Sequence, residues 1–261
     1  SCATTSAAAS RTRSESSTGT ARTMPGSLRR PMPPTSPTPT NPHPRLPPDH
    51  TGNPMNTQIA QITQSLAANG CAYITPSDAL YDEQDWELMN QVLANSTLPW
   101  EKILIGDADE ENDLYVARFM TDRDRPTVVN HALSELIIPR VCNDNVMSLF
   151  RKLMGDDAFY VRRMQVNRMK AGSFIGRHLD TDSNPDYQYS IVLQLGTYFS
   201  GGQFVVYDRD GNLRNDIKPE PRSVIISDCS YPHEVQQVTA GERVSLVFFV
   251  SRHADRNRRV Y

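Results

Sequence analysis

The spacing of apolar residues along the chain changes from a helical period to a strand-like period near residue 159. Before that point, residues 57–70 place Ile59, Ile62 and Leu66 on one helical face and end at Gly70, which predicts an amphipathic helix with a glycine cap. The same pattern predicts a second helix over 81–96 and one or two helices over 131–155.

From residue 159 onward, short runs of β-branched and aromatic residues alternate with turn-forming residues. Seven or eight strands at such intervals predict a β-sandwich or barrel. The runs are FYVRRMQVNRMK, SFIGRHLD, YQYSIVLQLG, GQFVVYD, RSVIISD, HEVQQV and ERVSLVFFV. We therefore expect one mainly β domain over 55–261, in which helical support (55–158) packs on a double sheet (159–252).

The composition of residues 1–54 differs from that of the rest of the chain. This leader contains no Phe, Trp or Tyr and 11 of the 19 prolines, so it cannot bury enough apolar surface to fold, and we predict that it is disordered. Two interpretations stay open. Its arginine-rich, acid-poor start is typical of an organelle transit peptide, whereas a translation start at Met24 or Met55 would make it upstream sequence. We favour an artefactual or dispensable leader.

Charge and cysteine content exclude several classes of protein. The net charge is −3, and the part after residue 54 has 21 basic and 28 acidic residues, so nothing favours nucleic-acid binding. Four scattered cysteines without CxxC spacing argue against a zinc knuckle or a disulfide scaffold and indicate an intracellular, cytoplasmic protein. No apolar run approaches the roughly 20 residues that a membrane span needs, so we expect no membrane partner.

Candidate metal ligands lie in the stretch GRHLDTD, residues 176–182. His178 and Asp180 are separated by one residue and point to the same side if this stretch is a strand. His233 follows 55 residues later, and Arg243 comes ten residues after it on the next predicted strand. Two histidines and one carboxylate on one face of a metal form the facial triad of non-haem Fe(II) oxygenases. Such a site leaves positions open for a cosubstrate and O₂, which a closed zinc site does not.

The combination HLD, PHEV and GERVSL resembles the Fe(II)/2-oxoglutarate-dependent dioxygenases, in particular their prolyl-4-hydroxylase-like branch. The strands, turns and Gly-Gly pair between these motifs are similar to those of that branch, so the resemblance covers residues 159–252. It implies a double-stranded β-helix (jelly-roll) fold. It also implies that His178, Asp180 and His233 ligate Fe(II) and form the catalytic centre.

The resemblance further implies a binding site for 2-oxoglutarate. Arg243 would pair with the distal carboxylate of this cosubstrate, because guanidinium geometry suits a carboxylate, and Ser245 on the same strand face would add a hydrogen bond. Gln194 and Asn167 are candidates for the other end of the cosubstrate by position. Members of the family often have a tyrosine nine or ten residues before the first ligand histidine, whereas residues 168–169 of this chain are arginine and methionine.

These implications define the expected reaction. We expect a dioxygenase that hydroxylates an unactivated C–H bond of an amino acid, peptide or small molecule, releases succinate and CO₂, and uses ascorbate to keep its iron ferrous. The alternative is a non-catalytic, cupin-like metal-binding sensor or binding module, which would have no need of Arg243. The acidic loop 106–113 is predicted to be solvated, with a lid that recognises a basic substrate as the second interpretation.

Overall fold

The computed structural model describes residues 54–78, 80–93, 97–105, 113–155 and 158–259. The leader up to residue 53 and residues 106–112 of the acidic loop lie outside the described residues. The predictions of a disordered leader and of a solvated acidic loop therefore stay predictions.

Helices occupy much of the region before residue 154, as the pattern predicted. They are α1 (Pro54–Asn69), α2 (Glu83–Leu93), α3 (His131–Val141) and α4 (Asp144–Leu153). Gly70 directly follows the last residue of α1 and has a φ of 71°, a backbone conformation that glycine adopts without strain. The segment 131–155 forms two helices because Asn143 caps the second, its side chain accepting a hydrogen bond from the Val146 amide at 3.0 Å. None of the described helices is both long enough and apolar enough to cross a lipid bilayer.

The strands form two antiparallel sheets. The strands are β1 (Cys71–Ile74), β2 (Glu101–Lys102), β3 (Leu114–Asp122), β4 (Pro126–Val128), β5 (Tyr160–Lys170), β6 (Ile175–His178), β7 (Tyr189–Leu195), β8 (Phe199–Gly201), β9 (Phe204–Tyr207), β10 (Leu213–Ile217), β11 (Val224–Asp228), β12 (His233–Val235) and β13 (Val238–Ser251). The major sheet has the order β1-β11-β7-β13-β5-β3-β2, with β4 on β3 and β8 on β13, and the minor sheet has the order β10-β9-β12-β6. The predicted mainly β, double-stranded β-helix core with helical support is confirmed.

Strand β13 shows how one strand serves two interiors. Successive side chains of this strand point to opposite faces of the sheet. On one face they belong to the core that the helices share with the major sheet, and these residues are Val244, Leu246, Phe248 and Val250. Val247 and Phe249, on the opposite face, belong to a second apolar cluster that contains residues of the minor sheet. Arg243 and Ser245 share that inner face. The space between the two sheets is therefore lined by both apolar and polar side chains.

The region before residue 159 carries more strands than the pattern predicted. Strand β3, nine residues long, lies in a segment for which no element was predicted, and it pairs with β5 over residues 114–120. The description of 55–158 as helical support is therefore incomplete, because β1 to β4 from this region extend the major sheet.

Candidate active site

Strand pairing in the minor sheet places the two predicted ligand histidines opposite each other. His178 is the last residue of β6, His233 is the first residue of β12, and the two are in register across the antiparallel pair. Cβ atoms of directly opposed residues lie about 5 Å apart on the same face of a sheet. The ring centroids are 4.4 Å apart. The pairing thus brings together two residues that are far apart in the chain.

Asp180 reaches the histidines from a turn. The strand ends at His178, Leu179 is extended, and Asp180 begins a 3₁₀ turn over Asp180–Asp182, so the prediction that His178 and Asp180 share a strand face is wrong. The carboxylate nevertheless lies between the imidazoles. Oδ1 is 3.5 Å from Nε2 of His178, and Oδ2 is 3.5 Å from Nε2 of His233. One possible ligand atom from each of the three residues lies within 4.8 Å of the others.

Hydrogen bonds to the backbone orient both imidazoles. Nδ1 of His178 is 2.9 Å from the Gly176 carbonyl oxygen, and Nδ1 of His233 is 3.1 Å from the carbonyl oxygen of Tyr231. Because a carbonyl oxygen only accepts, each Nδ1 carries a proton, and in the neutral imidazole Nε2 offers a lone pair on the side of Asp180. Burial lowers the pKa of His233, which favours its neutral form. Burial also acts to lower the pKa of His178, but the hydrogen bond and the charge of Asp180 outweigh it and raise that pKa.

The carboxylate of Asp180 is buried and charged. Burial raises the pKa of this carboxyl, but the neighbouring imidazoles of His233 and His178 outweigh that effect and hold the pKa at about 2. Oδ2 has no hydrogen-bond partner among the described residues. Two imidazole nitrogen donors, one anionic oxygen donor and an unpartnered buried oxygen fit a divalent cation of the type that a facial triad holds.

A cavity of about 560 Å³ opens between the two sheets beside these ligands. Arg243 and Ser245 of β13 line it, and both are 1% exposed. Nε and Nη2 of Arg243 have no hydrogen-bond partner among the described residues, and Nη1 is 3.8 Å from Sδ of Met169. Burial lowers the pKa of Arg243 to about 10, so the guanidinium is charged at neutral pH. An unpaired buried cation is strongly destabilising, so this position fits an anionic ligand.

The two residues chosen by position have different surroundings. Asn167 lines the cavity, and its Oδ1 accepts a hydrogen bond from Nε2 of Gln165 at 2.7 Å. Gln194 is buried next to Ser245 in the sheet register but is not among the residues that line the cavity. Its amide nitrogen donates to the carbonyl oxygens of Leu195 at 3.0 Å and Val244 at 2.8 Å. A role in cosubstrate binding stays a prediction for both residues.

Several residues of the cavity were not predicted. Phe204 of β9 stacks on the ring of His233, with centroids 5.1 Å apart and planes 29° apart. Arg163 and Gln165 of β5 line the cavity together with Asn167. A signal was present in the sequence, because polar residues at 163, 165 and 167 alternate with apolar ones in a run that otherwise reads as a buried strand.

Comparisons with known proteins agree with this geometry. The model of the 2OG-Fe(II) oxygenase superfamily matches residues 164–251. The chain is similar to an oxidoreductase of the 2OG-Fe(II) oxygenase family from Burkholderia pseudomallei, with 37% identity, coverage of 82% of this chain and 98% of that one, and a TM-score of 0.71. No curated protein matches the chain at a significant level.

Two prolyl hydroxylases share the fold at low identity. One, from Trichoplax adhaerens, is 16% identical, covers 76% of this chain and 90% of its own, and has a TM-score of 0.57. The other, a prolyl-4-hydroxylase from Pseudomonas putida, is 18% identical, covers 75% of this chain and 99% of its own, and has a TM-score of 0.51.

A jelly-roll core, a His-Asp-His cluster and an unpaired buried arginine define the non-haem iron oxygenase class. The identity and coverage of the Burkholderia protein then establish that the chain belongs to the 2OG-Fe(II) oxygenase family. The resemblance to this family that the motifs indicated is confirmed. Membership implies dependence on Fe(II), 2-oxoglutarate and O₂.

Proposed function

We propose that the protein is a hydroxylase that uses Fe(II), 2-oxoglutarate and O₂ to oxidise an unactivated C–H bond of an amino acid, peptide or small molecule. Succinate and CO₂ are the coproducts, and ascorbate keeps the iron ferrous. The observation that carries this proposal is the buried, unpartnered guanidinium of Arg243 in the same cavity as the three convergent ligand side chains. A cupin-like binding module without a cosubstrate has no use for that charge.

In this proposal His178, Asp180 and His233 hold the iron. Their ligand atoms are oriented before binding, because backbone carbonyls fix both imidazole rings and the surrounding core fixes Asp180. When bound, the iron supplies the redox chemistry that activates O₂ for insertion into a C–H bond, with 2-oxoglutarate as the reductant.

Arg243 and Ser245 hold the cosubstrate. The two free N–H groups of Arg243 match a carboxylate, and the low dielectric of a buried site strengthens that pair. The apolar residues Val192, Val247 and Phe249 line the same cavity and contribute nonpolar surface to it. Asp180 supplies the carboxylate that completes the facial triad, and a complete triad supports hydroxylation as the outcome of the reaction.

The metal and cosubstrate roles are tested together by visible absorbance under anaerobic conditions. Purified protein with Fe(II) and 2-oxoglutarate is expected to show a charge-transfer band that neither component gives alone. His178→Ala removes one ligand, so the band is expected to disappear. Release of succinate on admitting O₂ is the activity readout.

His131→Ala is the matched control for this experiment. His131 is exposed at the start of α3, outside the cavity, so this variant is expected to retain the band. A wild-type protein without the band, or a His178→Ala protein that keeps it, would contradict the proposed function.

A further inference from the structure

Arg163 presents a guanidinium to the cavity at a position away from Arg243. It is half-buried on β5, whereas Arg243 is almost completely buried on β13. Its Nε donates a hydrogen bond to Oε1 of Gln165 at 3.1 Å, and Gln165 in turn donates to Asn167 at 2.7 Å. The guanidinium carbon lies 5.8 Å from the centre of the Phe249 ring. The head group is therefore oriented on one side by Gln165 and on another by an aromatic face.

Two carboxylates of strands β2 and β3 are engaged elsewhere, and the exposed Asp182 also lines the cavity. Within the described ranges, Arg163 forms no ion pair, since Glu101 pairs with Arg118 and Asp122 pairs with the buried Arg162. Asp180 faces the two imidazoles. The two terminal nitrogens of Arg163 thus have no anionic partner among the described residues.

The same region continues into a second depression of about 320 Å³. Its lining shares Arg118, Arg163, Ser183 and Arg259 with the main cavity and adds Thr121, Asp122 and Arg123. Arg118 of β3 is in register with Gln165 of β5, so its side chain is on the same sheet face as those of Gln165 and Arg163. The outer part of the cavity is therefore bordered by several guanidinium groups, and the half-buried Arg163 joins it to the metal centre.

We propose that Arg163, with Arg118 beside it, binds an anionic group of the organic substrate at the outer end of the cavity. This inference rests on the proposed function and adds the class of substrate to it. Arg243 takes the distal carboxylate of 2-oxoglutarate, and Arg163 takes a carboxylate or a phosphate of the molecule to be oxidised. A guanidinium fork suits both groups. A substrate that brings a cation to this position would meet the guanidinium of Arg163, which has no ion pair among the described residues, and this argues against the basic substrate considered for the acidic loop.

The first test compares substrates that differ only in charge. Succinate release above the substrate-free rate is measured with free L-amino acids and short-chain organic acids, with their primary amides, and with phosphate monoesters against the parent alcohols. Acids or phosphate esters are expected to stimulate at least about tenfold more than their neutral partners, since a charged hydrogen-bonded pair is lost. The carboxylate and phosphate arms distinguish the two sources. Equal or stronger stimulation by the neutral partners overturns the inference.

The second test measures binding without a substrate. Sulfate is titrated by calorimetry into anaerobic protein saturated with Fe(II) chloride and 2-oxoglutarate, so that Arg243 is already occupied. Wild type is expected to bind sulfate saturably, Arg163→Gln at least about fivefold more weakly, and Arg163→Lys in between, because lysine keeps the charge and loses the fork. No saturable binding to wild type, or equal binding by Arg163→Gln, overturns the inference.

The controls separate this inference from the proposed function. Arg168→Gln removes an arginine of the same strand that pairs with Glu242 at 2.8 Å and lies outside the cavity lining, so sulfate binding is expected to stay at the wild-type level. Arg163→Gln is expected to keep the visible band of the iron complex with 2-oxoglutarate. If the wild-type protein shows no visible band, the proposed function is contradicted. If the band is present but sulfate affinity is the same in wild type and Arg163→Gln, only the proposed substrate class is contradicted.

Discussion

Gly202 positions the arginine proposed to bind the cosubstrate. From the sequence it is one of a pair of turn glycines, and its φ of 66° agrees with that interpretation. The structure adds a steric requirement. A Cβ atom at this position would lie 2.9 Å from Cδ of Arg243 and 3.2 Å from Cε2 of Phe199. Glycine is therefore needed here because the stem of Arg243 packs directly against the backbone.

Gly202→Ala is expected to weaken 2-oxoglutarate binding roughly tenfold, because the added methyl group displaces Arg243 and costs on the order of 1–2 kcal/mol. The measurement is a titration of the visible band with 2-oxoglutarate. Gly155→Ala is the matched control, since Gly155 has a φ of 75° and no atom within 4 Å of the Cβ position. Equal loss of affinity in both variants would show that backbone strain alone is responsible.

At the residue scale, the sequence identifies chemically distinctive residues at long spacings. His178, His233 and Arg243 could be singled out because histidine and arginine are unusual in otherwise apolar strands. Arg163 lies in a polar and apolar alternation, but that pattern does not assign it to the cavity, because its position there depends on which face of β5 turns inward and on the unpredicted pairing with β3. The contact between Gly202 and Arg243 joins the turn between β8 and β9 to the distant strand β13, and no local pattern encodes it.

At the scale of elements, a buried ion pair connects the neighbouring strands β3 and β5 of the major sheet. Nη2 of Arg162 on β5 donates to Oδ1 of Asp122 at the end of β3 at 3.1 Å, and both side chains are 0% exposed. The same guanidinium donates to the carbonyl oxygens of His253 and Asp255. Asn184, four residues after Asp180, donates to Oδ2 of Asp122 at 2.9 Å. The ion pair of Arg162 and Asp122 thus ties together two strands, the C-terminal segment and the residues just after the turn that carries Asp180.

Asp122→Asn is expected to lower the free energy of unfolding by about 3–5 kcal/mol, because it leaves the buried charge of Arg162 unpaired. Asp124→Asn is the control. Asp124 pairs with Arg256 at 2.7 Å, but the two side chains are 67% and 76% exposed, so the expected change is below about 1 kcal/mol. Urea denaturation followed by circular dichroism measures both values. A loss at Asp122 no larger than that at Asp124 would argue against a stabilising role for the buried pair.

The sequence predicted whether a segment is a helix or a strand wherever one spacing of apolar residues dominated. It did not predict the residues at which these elements end. The run of β-branched and aromatic residues in β13 and the helical spacing of α1 both predicted the observed structures. Strand β3 mixes charged and apolar residues and follows the acidic loop, so its strand character depends on the neighbouring β5. The end of β6 at His178 reflects the 3₁₀ turn that Asp180 begins, and a period-two pattern does not reveal such a turn.

At the scale of the whole molecule, two cores share the major sheet. One core lies against the helices, and the other contains residues of both sheets and continues into the cavity. Cys71 and Cys229 belong to the second core and are 0% exposed. Burial raises the pKa of Cys71 to about 11 and that of Cys142 to about 12, and it also raises the pKa of Cys229. The reactive thiolate is therefore scarce at all three positions in the folded protein.

These thiols are expected to report on unfolding of the domain. In native protein near pH 8, iodoacetamide is expected to label Cys71, Cys142 and Cys229 at least about tenfold more slowly than glutathione in the same sample, because few of them are ionised or accessible. In concentrated urea the three rates are expected to approach that of glutathione. Peptide mass spectrometry measures each site. Native labelling of Cys71 at the glutathione rate would mean that β1 detaches without unfolding of the domain.

His178 and His233 lie opposite each other across β6 and β12, so the metal site forms only if these two strands pair in the observed register. Successive residues of a strand point to opposite sides, so sliding one strand by a single position would turn its imidazole away from Asp180. Deleting one residue from the short link between β11 and β12 is expected to shift β12 by one position relative to β6. Iron binding would then be lost even though all three ligand residues remained in the chain. The affinity for the metal would therefore report whether β6 and β12 are paired in the correct register.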